Sequence, residues 1–193
     1  MDGDSLTQLT FGGSNFFPAW SPDGEWIAYD NTNCGSQVEP APPNSCGILI
    51  MKSDGLSKKL IIGGRFPDWS PDGDNLVFVG LGSEIFNVTI NDTSDVVQLT
   101  SFHQTYTYVS VITPRYNPDG SKIVFCSTTH DWFGIWVMDS SGGNLKRLDE
   151  NGSYPSWSPD GKNIVYVGPQ TTLWIMEADG SNKRQLTFRP KPG

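Results

Sequence analysis

The chain has 193 residues, and its 36% hydrophobic and 12% aromatic content is ordinary for a folded globular protein, which excludes global disorder. The formal charge is −8, from 21 acidic and 13 basic residues, and the basic residues are scattered along the sequence. This excludes the concentrated cationic surface that a nucleic-acid partner requires. No apolar run approaches the roughly 20 residues that span a bilayer, so we expect no membrane insertion.

The first predicted hairpin is FPAWSPDGEWIAY, residues 17–29. It recurs three times, as FPDWSPDGDNLVF at 66–78, TPRYNPDGSKIVF at 113–125 and YPSWSPDGKNIVY at 154–166. Proline presets the first corner of the turn, aspartate accepts backbone hydrogen bonds, and glycine supplies the positive φ that closes it. The same residue types therefore predict a tight two-stranded hairpin in all four copies.

A polar, proline-rich segment, residues 30–47, follows the first hairpin and has no strand pattern. Cys34 and Cys46 lie near its ends, and a disulfide between them would lower the entropy of the loop. Disulfides persist in oxidising compartments, which favours a periplasmic or extracellular protein. The alternative interpretation is two free thiols in a cytosolic loop. Cys126 lies in an apolar strand pattern and is predicted to be a buried thiol.

Each hairpin is followed by a third apolar strand, a polar turn and a fourth strand that ends in leucine, often as Gln-Leu-Thr. The aromatic residues before the four turns, Trp20, Trp69, Tyr116 and Trp157, are 49, 47 and 41 residues apart. Four short strands at periods of this size predict the blades of a β-propeller. We expect a single domain over 1–193, with blade repeats at 11–60, 61–99, 100–148 and 149–188. The four aromatic residues are predicted to wedge between neighbouring blades.

The repeated pattern aromatic-Pro-x-Trp-Ser-Pro-Asp-Gly, followed by an apolar strand, an Ile-x-x-Met strand, Asp-Gly and Leu-Thr, resembles the repeat of the TolB-like, WD-repeat-like propellers over residues 4–188. The resemblance implies an all-β protein with four blades of four antiparallel strands, and a closed four-bladed ring is favoured over a fragment or half-ring. It also implies a periplasmic location. It implies no single activity, because such repeats occur in binding scaffolds, in peptidase gating domains and in some sugar-acid lyases.

The two ends of the chain lie at the same phase of the repeat, since DGDSLTQLTF at 2–11 matches DGSNKRQLTF at 179–188. In one interpretation residues 4–10 form the outer strand of the last blade and close the ring. In the other, the end strands pair with further blades or with a second copy of the chain, and the protein self-associates.

The loop lengths vary on one predicted face of the propeller. From Tyr29 to Ile48 is 19 residues, against 7 to 10 in the later blades, and Leu99 to Tyr116 is 17 against 9 at the equivalent links. Because binding loops are usually mounted on a rigid scaffold, we predict a binding surface on this face. Its candidate residues from the long loops are Phe102, His103, Tyr106, Tyr108, His130 and Trp132. The alternative is that these aromatic side chains fold inward and plug the central tunnel.

A second set of candidate residues lies beside the prolines of the inner strands, near the predicted tunnel mouth. On position alone, these residues are expected to meet an anionic or peptide ligand. They are Phe17, Arg65, Phe66, Arg115 and Tyr154.

Catalytic and metal chemistry is not favoured by the sequence. The recurring aspartates of the Pro-Asp-Gly turns are needed by the turns, so a metal ring is not predicted, and the alternative is Ca²⁺ held by loop carboxylates or by carbonyls of the tunnel. Two dispersed histidines and the lack of a Gly-x-Ser-x-Gly motif argue against an enzyme. We therefore expect a non-catalytic binding module without a cofactor, which recognises a protein or a cell-surface glycan. The alternatives are a gating or substrate-binding domain of a hydrolase or lyase, and an incomplete propeller that assembles into a larger ring.

Overall fold

The computed structural model describes residues 6–11, 13–32, 46–102 and 109–188, and these residues form four sheets of four antiparallel strands. Blade one contains β1 (Asn15–Trp20), β2 (Trp26–Asn31), β3 (Gly47–Lys52) and β4 (Lys59–Ile62). Blade two contains β5 (Arg65–Trp69), β6 (Asn75–Val79), β7 (Ile85–Thr89) and β8 (Val96–Gln98). Blade three contains β9 (Val111–Tyr116), β10 (Lys122–Ser127), β11 (Gly134–Asp139) and β12 (Lys146–Asp149). Blade four contains β13 (Ser153–Trp157), β14 (Asn163–Gly168), β15 (Thr172–Glu177) and β16 (Arg184–Gln185).

The four blades follow one another around a ring as a four-bladed β-propeller, with close strand contacts at the boundaries between blades one and two, two and three, and three and four. Within each blade the strands follow one another in sequence order. The predicted all-β fold with four antiparallel strands per blade is therefore confirmed. Three short 3-10 segments, Leu81–Ser83, His130–Trp132 and Pro169–Thr171, lie in the links between the second and third strands of blades two, three and four.

The Pro-Asp-Gly turn is closed by the aspartate side chain. In blade one, the hydroxyl of Ser21 donates to Asp23 Oδ1 at 2.5 Å, and the Glu25 N–H donates to the same oxygen at 2.9 Å. These hydrogen bonds hold the pKa of Asp23 below its usual range, the Ser21 hydroxyl having the largest effect. The same arrangement recurs at Asp72, Asp119 and Asp160. Each of the four carboxylates therefore accepts its hydrogen bonds from groups of its own turn.

The inner strand of every blade contains a residue in the left-handed region. The residue before the recurring proline of each inner strand has φ of 51° at Phe17, 57° at Phe66, 50° at Thr113 and 51° at Tyr154. A positive φ is costly for aromatic and β-branched residues, and here it coincides with a break in the pairing register of each inner strand. The rings of Phe17 and Phe66 consequently meet across blades one and two, with centroids 4.3 Å apart.

The hydrophobic core is divided into clusters between consecutive blades. Between blades one and two, Ile48 and Ile50 pack with Leu76, Phe78 and Trp69, and Trp69 is 7% exposed. The Trp69 indole N–H donates to the carbonyl of Ala19 at 3.2 Å in the preceding blade. Trp157 donates in the same way to the carbonyl of Arg115 at 3.3 Å. The predicted wedge role holds at these two boundaries, whereas the equivalent Trp20 of blade one is 60% exposed.

Polar groups also cross the blade boundaries. Asp68 of blade two accepts the Tyr116 N–H at 2.9 Å and pairs with Arg115 of blade three at 3.3 Å. Burial raises the pKa of Asp68 to about 6, although Arg115 and the Tyr116 N–H act to lower it. Asp149 of blade three pairs with Lys183 of blade four at 2.9 Å.

The N-terminal segment lies against blade one. Residues 6–11 form no strand, and Leu9 packs beside the cluster of Ile27, Tyr29, Leu49 and Met51. The outer strand of blade four in this structure is β16, from the C-terminal part of the chain.

Candidate functional site

A groove opens on the loop face of blades one and two and reaches the first strand of blade three. Its volume is about 760 Å³, within the range of ligand-binding clefts. The lining residues come from the end of β2 and the start of β3, from the link between β4 and β5, from the link between β6 and β7, from Val96 at the start of β8, and from the start of β9. Apart from Val96, these segments are the strand-two-to-three links and the connections between blades, so both kinds of connection share one face around the groove.

The floor of the groove is aromatic. The rings of Phe78 and Phe86 stack with centroids 5.7 Å apart and an interplanar angle of 23°, and Phe66 lies beside them in the lining. Two glycines make room for these rings. A Cβ on Gly64 would lie 2.6 Å from Phe78 Cδ2, and one on Gly80 would lie 2.7 Å from Phe86 Cδ2. Phe78 is 1% exposed and belongs to the core, whereas Phe86 is partly exposed, so the glycines let the rings pack closely and leave Phe86 as the accessible ring of the floor.

Arg65 is the cation of the groove. Its side chain is 53% exposed, its Nε lies 3.5 Å from Asp30 Oδ2, and its guanidinium carbon lies 4.9 Å from the centre of the Phe66 ring. Asp30 is fully buried and also accepts the Phe66 N–H at 3.2 Å. Burial raises the pKa of Asp30, and the Phe66 N–H and Arg65 oppose that shift. Asp30 thus holds the guanidinium of Arg65 at its Nε atom, and the half-exposed side chain still faces solvent.

The family of the chain follows from comparison with known proteins. Residues 38–192 match the model of the TolB beta propeller domain. The chain belongs to this family. An uncharacterized protein of Agrobacterium fabrum is 30% identical over 180 residues, which cover 86% of this chain and 45% of that protein. The chain therefore spans about half the length of the curated relative that it matches.

Solved structures support the fold of this TolB-family propeller. TolB from Acinetobacter baumannii superposes with a TM-score of 0.76 at 23% identity, covering 96% of this chain and 47% of that one. A chain of the nidogen/laminin complex gives a TM-score of 0.69 at 12% identity, covering 90% and 65%. Oligogalacturonate lyase from Vibrio parahaemolyticus gives 0.62 at 15% identity, covering 92% and 54%. At these identities the likeness shows the fold alone.

Of the aromatic residues that we predicted from the long loops, the structure of this TolB-family propeller describes Phe102 and Trp132. Phe102 is 6% exposed and packs against Trp132 with ring centroids 5.3 Å apart, and Trp132 stacks on Trp136 at 4.4 Å. The expectation that Phe102 is exposed is wrong, because its ring completes the core between blades two and three. Phe102 folds inward into this core between blades, and the alternative that the loop aromatic residues plug the central tunnel stays a prediction. His103, Tyr106 and Tyr108 lie outside the described residues.

The remaining candidates do not form one site. His130 is fully exposed and its Nδ1 lies 3.0 Å from Asp131 Oδ1. Arg115 bonds the Pro67 carbonyl at 3.1 Å as well as Asp68, so its guanidinium ties blades two and three together. Tyr154 is 56% exposed in blade four. Of the residues beside the prolines, the groove brings together Arg65 and Phe66, and the Phe17 ring packs behind Phe66 at an interplanar angle of 54°.

The described residues also bear on the predictions about metal ions, membrane insertion and cysteines. Within the ranges described, no group of three or more His, Cys, Asp or Glu side chains is placed to hold a metal ion, and no helix is long and apolar enough to cross a bilayer. Cys126 is a buried free thiol, as predicted, and burial raises its pKa to about 11. Cys46 lines the groove, but Cys34 lies outside the described residues, so the predicted disulfide stays a prediction.

Sequence reasoning missed most of the groove. Phe78 and Phe86 are strand residues by pattern, and nothing in one strand indicates that two rings will stack beneath an open cleft. The available signal was the spacing of glycine and aromatic residues in GGRF at 63–66 and FVGLG at 78–82. A glycine in or beside a strand often marks the close approach of another group.

Proposed function

We propose that this TolB-family propeller is a non-catalytic binding module that takes an extended segment of a partner protein in the groove on its loop face. The observation that carries the proposal is the groove itself, with stacked Phe78 and Phe86 as its floor and the half-exposed Arg65 at its side. Such a surface suits an apolar side chain followed by a carboxylate, because the partly exposed Phe86 ring, supported by buried Phe78, contacts the first and the guanidinium pairs with the second.

A peptide fits this groove better than a glycan. Sugars are held by many polar groups, and the described part of the lining is mostly apolar, with few hydrogen-bonding side chains such as Asn31, Thr32 and Ser83. The rigid blades beneath the loops also reduce the ordering cost of binding, since the phenyl rings are already stacked. A glycan ligand is therefore the alternative outcome of the experiment.

The experiment selects peptides from a random phage-displayed library on the immobilised protein and measures the affinity of synthetic copies by calorimetry. Val96 lines the groove and Val97, the next residue of β8, does not, yet both are exposed. Val96→Trp is expected to raise Kd by about tenfold or more, which is at least 1.4 kcal/mol, and Val97→Trp is the matched control with an effect below about twofold. Peptides whose affinity is unchanged by Val96→Trp would contradict the proposal.

A second, independent test of the proposal removes the charge of Arg65. For peptides with an acidic residue, Arg65→Gln is expected to weaken binding by roughly threefold to tenfold, and added salt should narrow the difference because the pair is partly exposed. If the selected peptides lack acidic residues and bind wild type and Arg65→Gln equally, then the guanidinium does not contribute to binding. In that case the apolar groove alone would form the site.

We also propose a periplasmic or extracellular location, with Cys34 and Cys46 joined beside the groove. Family membership supports the location, and the bracketing of one polar loop by the two cysteines supports the bond. Peptide mapping after alkylation without reductant is expected to recover the segments containing Cys34 and Cys46 as one linked species. Recovery of both cysteines in alkylated form from an oxidising compartment would contradict the bond.

A further inference from the structure

The outward face of blade one differs from the corresponding face of every other blade. Trp69 is 7% exposed and bonds the preceding blade, and Trp157 bonds the preceding blade too, whereas Trp20 is 60% exposed. Within the described residues, no hydrogen bond connects the Trp20 indole to a carbonyl of blade four. The strand pairs that pack closely across blade boundaries join blades one and two, two and three, and three and four.

The Pro-Asp-Gly turns show the same difference. A Cβ on Gly73 would lie 3.7 Å from Pro22 of the preceding blade. The equivalent distances are 3.5 Å from Gly120 to Pro71 and 3.5 Å from Gly161 to Pro118. At Gly24 of blade one, nothing lies within 4 Å. The preceding proline that packs on three of the turns is therefore missing from the first.

The N-terminal segment occupies the outer-strand position of a blade that would precede blade one. Gln8 donates to the Thr10 carbonyl at 2.8 Å, as Gln98 does to Thr100 at 2.6 Å and Gln185 to Thr187 at 2.8 Å at the ends of blades two and four. A Cβ on Gly55 would lie 3.3 Å from Leu9, just as one on Gly180 would lie 3.1 Å from Leu148 of the preceding blade. An incoming blade would thus need to supply only its three inner strands.

Blade four exposes apolar side chains on the side that, in each of the other blades, packs against the next blade. Together with the exposed side of blade one, this surface forms the two halves of an unfilled junction between blades. Leu173 is 44% exposed, although Ile48, Ile85 and Ile135, at the same position of β3, β7 and β11, are all fully buried. Leu186 is 38% exposed, whereas its counterpart Leu148 is 6% exposed against blade four. These apolar side chains face the direction in which each of the other blades meets its successor.

We propose that blade one of this chain packs on blade four of a second copy, head to tail, and repeats the junction found three times within the chain. A second copy is the partner that fits because both unfilled halves are present on one molecule and each has filled counterparts at the internal boundaries. The Trp20 indole of one copy would donate to the Ser156 carbonyl of the other, as Trp69 donates to Ala19. The two-residue β16 gives way to residues 6–11 as the outer strand of the joined blade.

Such an interface is heterologous, so each copy offers two different surfaces. It closes into a ring or extends as a chain of molecules according to the rotation at the junction. This property permits a test that distinguishes it from a symmetric dimer.

The experiment measures mass in solution by light scattering and sedimentation, from micromolar to near-millimolar concentration. Wild type is expected to exceed the monomer mass as concentration rises. Trp20→Glu and Leu173→Glu each alter one half of the junction at an exposed side chain, and each is expected to remain a monomer. Leu81→Glu, at an 89% exposed position on the loop face, is the matched control and should associate like wild type. Leu173→Gln, a milder polar change at the same exposed side chain, is the second variant of the blade-four half if Leu173→Glu unfolds.

Mixing gives the decisive result. Trp20→Glu retains a normal blade four and Leu173→Glu retains a normal blade one, so an equimolar mixture is expected to regain a species of dimer mass through one intact junction. A wild type that stays monomeric throughout would overturn the proposal, and would leave the further blades of a longer polypeptide as the occupant. Association of the single variants at wild-type strength, or a mixture that stays monomeric, would also overturn it.

Discussion

Trp20 and Trp69 stand at the same position of the same repeat, yet one is 60% exposed and the other 7%. Their hairpins have the same turn, the same hydrogen bonds around the turn aspartate and the same left-handed residue before the proline. The difference lies outside the hairpin, in the blade that precedes it. In a propeller, the sequence of a blade determines its strands, and the neighbouring blade determines how much of its apolar surface is buried.

The strongest test of this comparison replaces each tryptophan by alanine. Trp69→Ala removes a buried ring and its bond to Ala19, so the free energy of unfolding should fall by about 3 to 5 kcal/mol. Trp20→Ala should lower it by less than about 1 kcal/mol in dilute solution, because most of that ring is already in water. Urea-induced unfolding followed by circular dichroism measures both values. Equal losses for the two variants would show that Trp20 is packed in the monomer.

The groove floor offers a second pair of variants, at adjacent glycines. Gly64→Ala places a Cβ 2.6 Å from Phe78 Cδ2, so the ring must move and we expect a loss of about 1 to 3 kcal/mol. Nothing lies within 4 Å of a Cβ on Gly63, so Gly63→Ala is the control and should be neutral or slightly stabilising. Thermal unfolding of the two proteins checks the difference. A neutral Gly64→Ala would mean that the aromatic floor is loosely packed.

The smallest expected effect concerns the pH dependence of the boundary between blades two and three. The pKa of Asp68 is about 6 in the folded protein, against 3.8 for the free group, so the folded state binds this proton more tightly. The contribution of Asp68 to the free energy of unfolding therefore falls as pH rises from about 4 to about 6. Because 22% of the side chain still reaches solvent, we expect a change nearer 1 than 3 kcal/mol.

Asp68→Asn isolates that contribution. Asparagine keeps an oxygen that accepts the Tyr116 N–H but does not titrate, so the stability of wild type relative to the variant should decrease between about pH 4 and pH 6 and then level off. Other carboxylates titrate in both proteins and cancel in the difference. A relative stability that increases over this interval would mean that the pairing with Arg115 outweighs the burial of the carboxylate.

Much of the fold could be predicted because its determinants are local. The Pro-Asp-Gly turn requires particular residues at particular spacing, and the side-chain hydrogen bonds of Asp23 and Asp160 show those residues at work. The alternation of polar turns and apolar strands gave the four strands of each blade. The role of Trp69 as a wedge was predictable for the same reason, since the position recurs at a regular period.

The candidate site was less predictable because it depends on side chains from distant parts of the sequence. Arg65 and Phe66, which were predicted to contact a ligand, both line the groove, but the sequence could not show that Phe78 and Phe86 stack beneath them. Phe102 was predicted as a loop residue of the binding face and is buried, because its ring packs beside Phe125, with centroids 6.3 Å apart. The sequence shows only that Arg115 follows a proline, and it does not indicate that the guanidinium of Arg115 pairs with Asp68 of the preceding blade.

The most direct test of the account is hydroxyl-radical oxidation of Trp20 and Trp69, read by mass spectrometry in separate peptides at several protein concentrations. We predict that Trp20 is oxidised much faster than Trp69 in dilute solution, and that rising concentration protects Trp20 while leaving Trp69 unchanged. Protection of Trp20 equal to that of Trp69 in the dilute monomer would contradict the account, because it would mean that blade four already covers blade one within a single chain.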